Sequence, residues 1–207
     1  MILEKLLKRY PELTGISKDI EGAVTLLTDM YKNGGKLLCC GNGGSASDSE
    51  HIVGELMKCF KIKRPISGEL KENLDKYGDE GKALADTLEC SLPAISLCGH
   101  SALSTAYGND RDPFMVFAQQ VSGFGCKGDT LLALTTSGNS KNCIYAAMVA
   151  KAKGMKVIGI TGEKGGRLSE LADICIKVPE IETYLVQELT LPIYHYICAR
   201  LEEIFFA

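Results

Sequence analysis

A chain of 207 residues, 45% of them hydrophobic, has enough length for a single domain with a sizeable core, held without disulfides or metal. Its 23 basic and 26 acidic residues give a net charge of −3 and no basic block, which argues against nucleic acid or an anionic membrane as the main partner. No apolar run approaches the roughly 18 residues of a membrane helix, and the opening MILEKLLKRYPEL is charged at Glu4, Lys5, Lys8 and Arg9, unlike a secretory signal.

Residues 17–33 read as an amphipathic helix, with Ile20, Val24, Leu27 and Tyr31 at three- and four-residue steps, Ser17 as N-cap and Gly34-Gly35 as stop. KLLCC (36–40) is a short apolar strand that ends in GNGGSAS. Helical period returns over 47–60 through Ile52, Leu56 and Cys59. Residues 61–80 are polar and charged, carry Pro65, Gly68 and Gly78, and read as an irregular excursion. PAISLC (93–98) is a buried strand, 113–123 a helix, and TLLALTT (130–136) a strand followed by SGNS and a helix that Gly154 ends. KVIGIT (156–161), a short helix near 166–172, ICIKV (174–178) and a long helix over 183–206, kinked at Pro192, complete the chain. Strands alternating with helices predict right-handed βαβ units: an α/β fold, a three-layer α/β/α sandwich around a parallel sheet of roughly five strands.

Nine cysteines are scattered with no C-x-x-C pair, so neither a zinc knuckle nor a dithiol redox motif is present. Several lie in apolar runs (LLCC, ISLC, DICI), where a thiol serves as a small hydrophobe. They read as free thiols in a reducing cytosol.

In an open parallel sheet, ligands bind at the carboxyl ends of the strands. Two loops stand there: Gly41-Asn42-Gly43-Gly44-Ser45 after KLLCC, and Thr135-Thr136-Ser137-Gly138-Asn139-Ser140 after TLLAL. Glycines admit a ligand to the backbone, and the following helix presents free N–H groups. Neither loop is a Walker A or G-x-G-x-x-G motif, which disfavours nucleotides. Each alone is also readable as a tight turn capped by Ser or Asn. Two hydroxyl-rich loops on one sheet point to an oxyanion or phosphate site. The first loop opens a helix on which His51 and Glu55, four residues apart, share one face. His195, one of three histidines, lies eight residues after Gln187. Taken singly, His51–Glu55 is also readable as a solvated surface pair and His195 as a core histidine.

The runs GNGGSASDSEHIVGEL, AYGNDRDPFMVFAQQV, TTSGNS, GMKVIGITGEKGGRLSELADICIKVP and QELTLPIYH, in that order, resemble the sugar-isomerase (SIS) family. Within it they resemble the sedoheptulose 7-phosphate (phosphoheptose) isomerases, from about Ser17 onward. The resemblance implies one SIS domain over residues 1–207, flavodoxin-like in topology, whose N-terminal helices (about 1–33) pack in a homotetramer with sites at subunit interfaces. It implies sugar-phosphate contacts at Asn42, Gly43, Gly44 and Ser45, and phosphate contacts at Thr135, Thr136, Ser137 and Ser140. It places Asn109 and Asp110 on sugar hydroxyls, and Glu55 and Gln187 before the reacting carbons. His51, Glu55, Gln187 and His195 are where family members bind Zn²⁺. Thr135 stands where many members carry Ser, Tyr184 where some carry a carboxylate, and the charged stretch 61–89 is longer than in the commonest isomerases.

The expected activity is aldose–ketose isomerisation of sedoheptulose 7-phosphate to D-glycero-D-manno-heptose 7-phosphate through an enediol, in cytoplasmic heptose biosynthesis, with no nucleic acid or membrane partner. Moving a proton between C1 and C2 calls for a base at carbon and a second group serving the oxygens. Glu55 and His195 are the expected acid/base pair, since His100 lies in a loop apart and Glu55 is the carboxylate beside the glycine-rich loop. The rival reading is a non-enzymatic SIS protein that binds the bacterial replication initiator or senses a sugar phosphate. The set His51, Glu55, Gln187 and His195 argues against it, because a scaffold has no need of those residues.

Overall fold

The structure is a computed structural model that describes residues 2–207; Met1 lies outside the described residues. Five strands form one parallel sheet in the order β2-β1-β3-β4-β5. They are β1 Leu37–Cys40, β2 Ala94–Ser96, β3 Thr130–Leu134, β4 Lys156–Thr161 and β5 Ile174–Lys177. These are the apolar runs legible in the sequence, and the layered α/β architecture is as expected. Successive side chains of a strand point to opposite faces. Leu37 and Cys39 accordingly enter one half of the core, and Leu38 and Cys40 the other. A parallel sheet covered on both faces needs such uninterrupted apolar strands.

One layer is built from α1 (Ile2–Arg9), α2 (Ser17–Lys32), α3 (Gly44–Met57) and α10 (Thr183–Phe206), packed through Ile20, Leu27, Ile52, Leu56, Ile193 and Leu201. The other holds α7 (Val116–Phe124), α8 (Lys141–Ala152) and α9 (Leu168–Leu171), packed through Phe117, Val121, Ile144 and Leu168. The chain therefore leaves β1 toward one layer and β3 toward the other. Between these neighbours the winding reverses, and a crevice opens at their carboxyl ends.

Several local expectations change. Ser17 is the first residue of α2 rather than its cap; a 3₁₀ turn over Pro11–Ile16 precedes it, and its hydroxyl donates to Thr14 O. The stretch 61–80, expected to be irregular, carries α4 (Glu69–Asp75) and the first turn of α5 (Gly78–Thr87). These two pack on each other while leaving Leu70, Tyr77 and Leu84 exposed, so the apolar stripe that normally announces a helix is thin. A further helix, α6 (Ser101–Asp110), has no buried residue and no sequence signal announced it. Pro192 lies inside α10, which continues on both sides of it.

One buried ion pair, unforeseen in the sequence, fixes the far end of α3. Arg64 and Glu202 meet at 2.8 Å with both side chains wholly buried. Glu202 also accepts the Phe60 and Lys61 N–H groups, and Arg64 donates to the Leu56 and Glu55 carbonyls. The turn that follows Glu55 is thus tied to α10. All nine cysteines are free, with Cys39, Cys40, Cys143 and Cys198 buried. No described helix is long and apolar enough to cross a membrane.

Candidate active site

The two glycine-containing loops face each other across the β1–β3 crevice. A cavity of about 120 Å³ there is lined by Asn42, Ser45, Thr135, Thr136, Ser140, Thr183 and Gln187, with Leu134 at its base. At about 30 Å³ per water this is the size class of a phosphate group. Helices α3, α8 and α10 all begin at its rim with no side-chain bond from the N-cap residue, although Asn142 Oδ1 accepts the Cys143 N–H in the first turn of α8; an anion there would meet the positive ends of three helices. The Thr135 and Ser140 hydroxyls lie 2.8 Å apart. The cradle is built from neutral donors and dipoles.

Close backbone approach explains the glycines. A Cβ on Gly138, whose φ is +68°, would fall 2.0 Å from Gly165 O, because the loop after β4 is strapped against the second glycine-containing loop. Leu168 N donates to Gly138 O and Arg167 N to the Asn139 side chain. A Cβ on Gly44 would fall 2.6 Å from the Gln187 amide nitrogen, so α3 and α10 touch there.

The same two helices meet again seven residues further along each. Tyr194 of α10 reaches His51 of α3, with its hydroxyl 3.0 Å from His51 Nδ1 and 3.2 Å from Asp48 Oδ1. His51 Nε2 stands 3.1 Å from Glu55 Oε1 and 3.5 Å from His195 Nε2. Lys58 Nζ adds a 3.5 Å contact to the other Glu55 oxygen. Contacts at 44/187 and 51/194 describe two parallel helices in register, and at 1.5 Å per residue they lie about 10 Å apart along the seam. His195 is pushed below its ordinary value of 6.5, first by burial and then by the His51 ring, with Glu55 opposing. It also lines a cavity of about 510 Å³ between α1 and α10, whose walls carry Lys5, Arg9 and Lys61.

The structure thus gathers His51, Glu55 and His195 at one end of the seam and most of the expected phosphate residues at the other. Gln187 stands at the cradle end, two turns before His195. Ser137 is outside the 120 Å³ cavity: its hydroxyl accepts the Asn139 N–H, and it lines a neighbouring cavity of about 250 Å³ with Glu163 and Lys164. Asn42 joins the first loop to the start of α8 through reciprocal amide bonds to Asn142 at 2.9 and 2.8 Å, and Gly43 faces a hollow of about 320 Å³ toward α7. Asn109 and Asp110 sit exposed at the end of α6, bonded to each other at 3.1 Å. Among the described residues no three His, Cys, Asp or Glu side chains already surround one point as metal ligands. His51 Nε2 is turned to Glu55, and an entering cation would replace that bond. Sequence reasoning missed Asn142, Asp48, Tyr194 and the Gly165-Gly166 strap; of these, only the glycine pair carried a local signal.

The SIS domain family matches residues 4–87 and 80–162. The phosphoheptose isomerase of Aneurinibacillus thermoaerophilus is 37% identical over 187 residues, covering 90% of this chain and 82% of the relative. That of Glaesserella parasuis is 41% identical over 186 residues, covering 89% and 83%. The solved phosphoheptose isomerase from Francisella tularensis superposes with a TM-score of 0.78 at 30% identity, covering 97% of this chain and 94% of that one. A fold with this crevice, two such loops and a carboxylate–histidine cluster on the seam belongs, with those relatives, to the SIS-domain family and within it to the phosphoheptose isomerases.

Proposed function

We propose that this chain is an aldose–ketose isomerase that converts sedoheptulose 7-phosphate to D-glycero-D-manno-heptose 7-phosphate. The observation that carries the reading is the α3–α10 seam. It separates a phosphate-sized neutral cradle from a carboxylate–imidazole cluster by about 10 Å. That spacing suits an extended sugar with phosphate at one end and carbonyl at the other, and is too long for a triose phosphate. The relatives named above are isomerases, which disfavours the non-enzymatic alternative.

In the forward direction Glu55 takes the pro-aldehyde C1 proton of the ketose while the C2 carbonyl oxygen gains one, giving the enediol. Glu55 then returns a proton to C2 as the C1 hydroxyl loses its own. His195, held neutral by its surroundings, accepts and donates the oxygen-borne proton. Thr135, Thr136 and Ser140, with the helix N-termini behind them, anchor the phosphate, and Ser137 extends the anchor toward the β4 loop.

His51, Glu55 and His195 would hold a zinc ion, with Gln187 as a more distant fourth donor. Two imidazole nitrogens 3.5 Å apart and a carboxylate oxygen beside them fit the donor chemistry of that metal. Bound there, it would supply Lewis-acid polarisation of the substrate oxygens. A homotetramer is the assembly this reading expects, and the exposed Asn109 and Asp110 would be free to serve a site shared between copies. The free cysteines support a reducing, cytoplasmic setting. Assaying the purified protein on sedoheptulose 7-phosphate beside shorter ketose phosphates tests the reading; preference for a triose or pentose phosphate would contradict it.

A further inference from the structure

Tyr194 is a buried residue on the seam that the isomerase reading leaves without a task. Only 1% exposed, it places its ring edge-on to His51 and to His195, at centroid distances of 5.5 and 5.0 Å. Its hydroxyl touches two groups, Asp48 Oδ1 at 3.2 Å and His51 Nδ1 at 3.0 Å. A phenol has one proton to give, and an ionised carboxylate can only accept. The Tyr194 proton therefore goes to Asp48, and the phenol oxygen is left to accept. Its remaining neighbour must then donate, which requires a proton on His51 Nδ1.

We infer that Asp48 and Tyr194 are positioning residues that commit a proton to His51 Nδ1, so that Nε2, facing the acceptor Glu55, is the nitrogen that takes up and releases a proton or a ligand on the side of Glu55 and His195. Asp48 and His51 share a face of α3 three residues apart, while Tyr194 enters from α10. The relay therefore forms only when the seam is closed. Without it the Glu55 carboxylate, 3.1 Å from Nε2, would draw the neutral ring's proton to Nε2 and turn a bare Nδ1 inward. Partners on the far nitrogen of a metal-binding histidine commonly set its tautomer and ring orientation in this way. The inference rests on His51 belonging to the reaction centre.

Its test is Tyr194→Phe, which keeps the ring and its packing, with Asp48→Asn as a second variant that leaves the phenol in place. Nitrogen-15 spectra of histidine-labelled, zinc-free protein at about pH 8, above the ordinary histidine range, report which ring nitrogen carries hydrogen. Replacing His100 and His195 in turn with Gln assigns the signals. The expected result is a proton on His51 Nδ1 in the wild type, whether or not Nε2 carries one, and an Nε2–H ring in Tyr194→Phe. Zinc affinity, measured by chelator competition, should fall about 10- to 100-fold in the variant. Turnover should fall with KM for the phosphosugar unchanged, because the cradle lies two turns away. A bare Nδ1 in the wild type, or an unchanged tautomer in folded Tyr194→Phe, overturns the relay. If the wild type turns over no phosphosugar, the isomerase reading fails by itself, and the nitrogen spectra still decide the relay.

Discussion

The two ends of the α3–α10 seam are built from opposite kinds of chemistry. The cradle at the β1–β3 crevice is lined by amides, hydroxyls and a leucine, with no titratable side chain among its lining residues. Two turns away, His51, Glu55, His195, Asp48 and Tyr194 are all titratable and touch one another. Fixed dipoles hold an anion at any pH near neutral, whereas proton transfer to carbon needs groups that gain and lose protons. On the proposed reading, affinity and rate fall to different side chains, and each should change without the other.

The strongest way to break that division is at the titratable end. Glu55→Gln and His195→Ala should each lower kcat by about 10²-fold or more, with KM nearly unchanged and the fold intact by circular dichroism. Comparable losses in KM would merge the two ends. At the cradle, Ser140→Ala should raise KM about tenfold to a hundredfold, a hydrogen bond to a charged group being worth about 1.5–3 kcal/mol. Ser137→Ala should do less, since its hydroxyl is already engaged by the Asn139 N–H. The reverse order in steady-state kinetics would move the phosphate to the Ser137 side.

Outside both ends, Glu202→Gln should spare the phosphate affinity but cost about 3–5 kcal/mol of stability in urea unfolding, because it leaves Arg64 buried and unpaired. Burial works to raise the Glu202 value, but the Phe60 and Lys61 amides and Arg64 outweigh it and hold it below the ordinary 4.5. Its stabilising effect is therefore fully present above 4.5 and lost as pH falls through the lowered value; the variant should lack that component of acid unfolding. The smallest effect is a displaced pH limb. With His195 held below 6.5, kcat/KM, corrected for the substrate phosphate's own second ionisation at about 6, should keep more than half its plateau at pH 6.5 and decline only at lower pH. A limb centred at or above 6.5 would place His195 in an environment other than the one described.

Five strands, their parallel pairing and both loops were readable because each strand is a short apolar run between turns and alternates with helices, while the order of the strands was not. Helices α4 and α6 were not, since Glu69–Asp75 and Ser101–Asp110 bury no side chain and so carry no apolar stripe to detect. At the site, His51 and Glu55 were legible as a pair because one helix face holds both. Tyr194, Asn142 and the Arg64–Glu202 pair were not. Their partners lie 143, 100 and 138 residues away, and only the packing of α3, α8 and α10 brings them together. Of the four expected ligands, His51, Glu55 and His195 lie together, while Gln187, two turns earlier on α10, lines the cradle.

The central claim is that carbon-bound hydrogen moves as a proton through Glu55. Incubating the enzyme with sedoheptulose 7-phosphate in deuterium oxide and following the sugar by NMR tests it directly. The account predicts deuterium at C1 of recovered ketose and at C2 of the aldose with the wild type, and none with Glu55→Gln; product formed without deuterium, or exchange that survives in the variant, would contradict it.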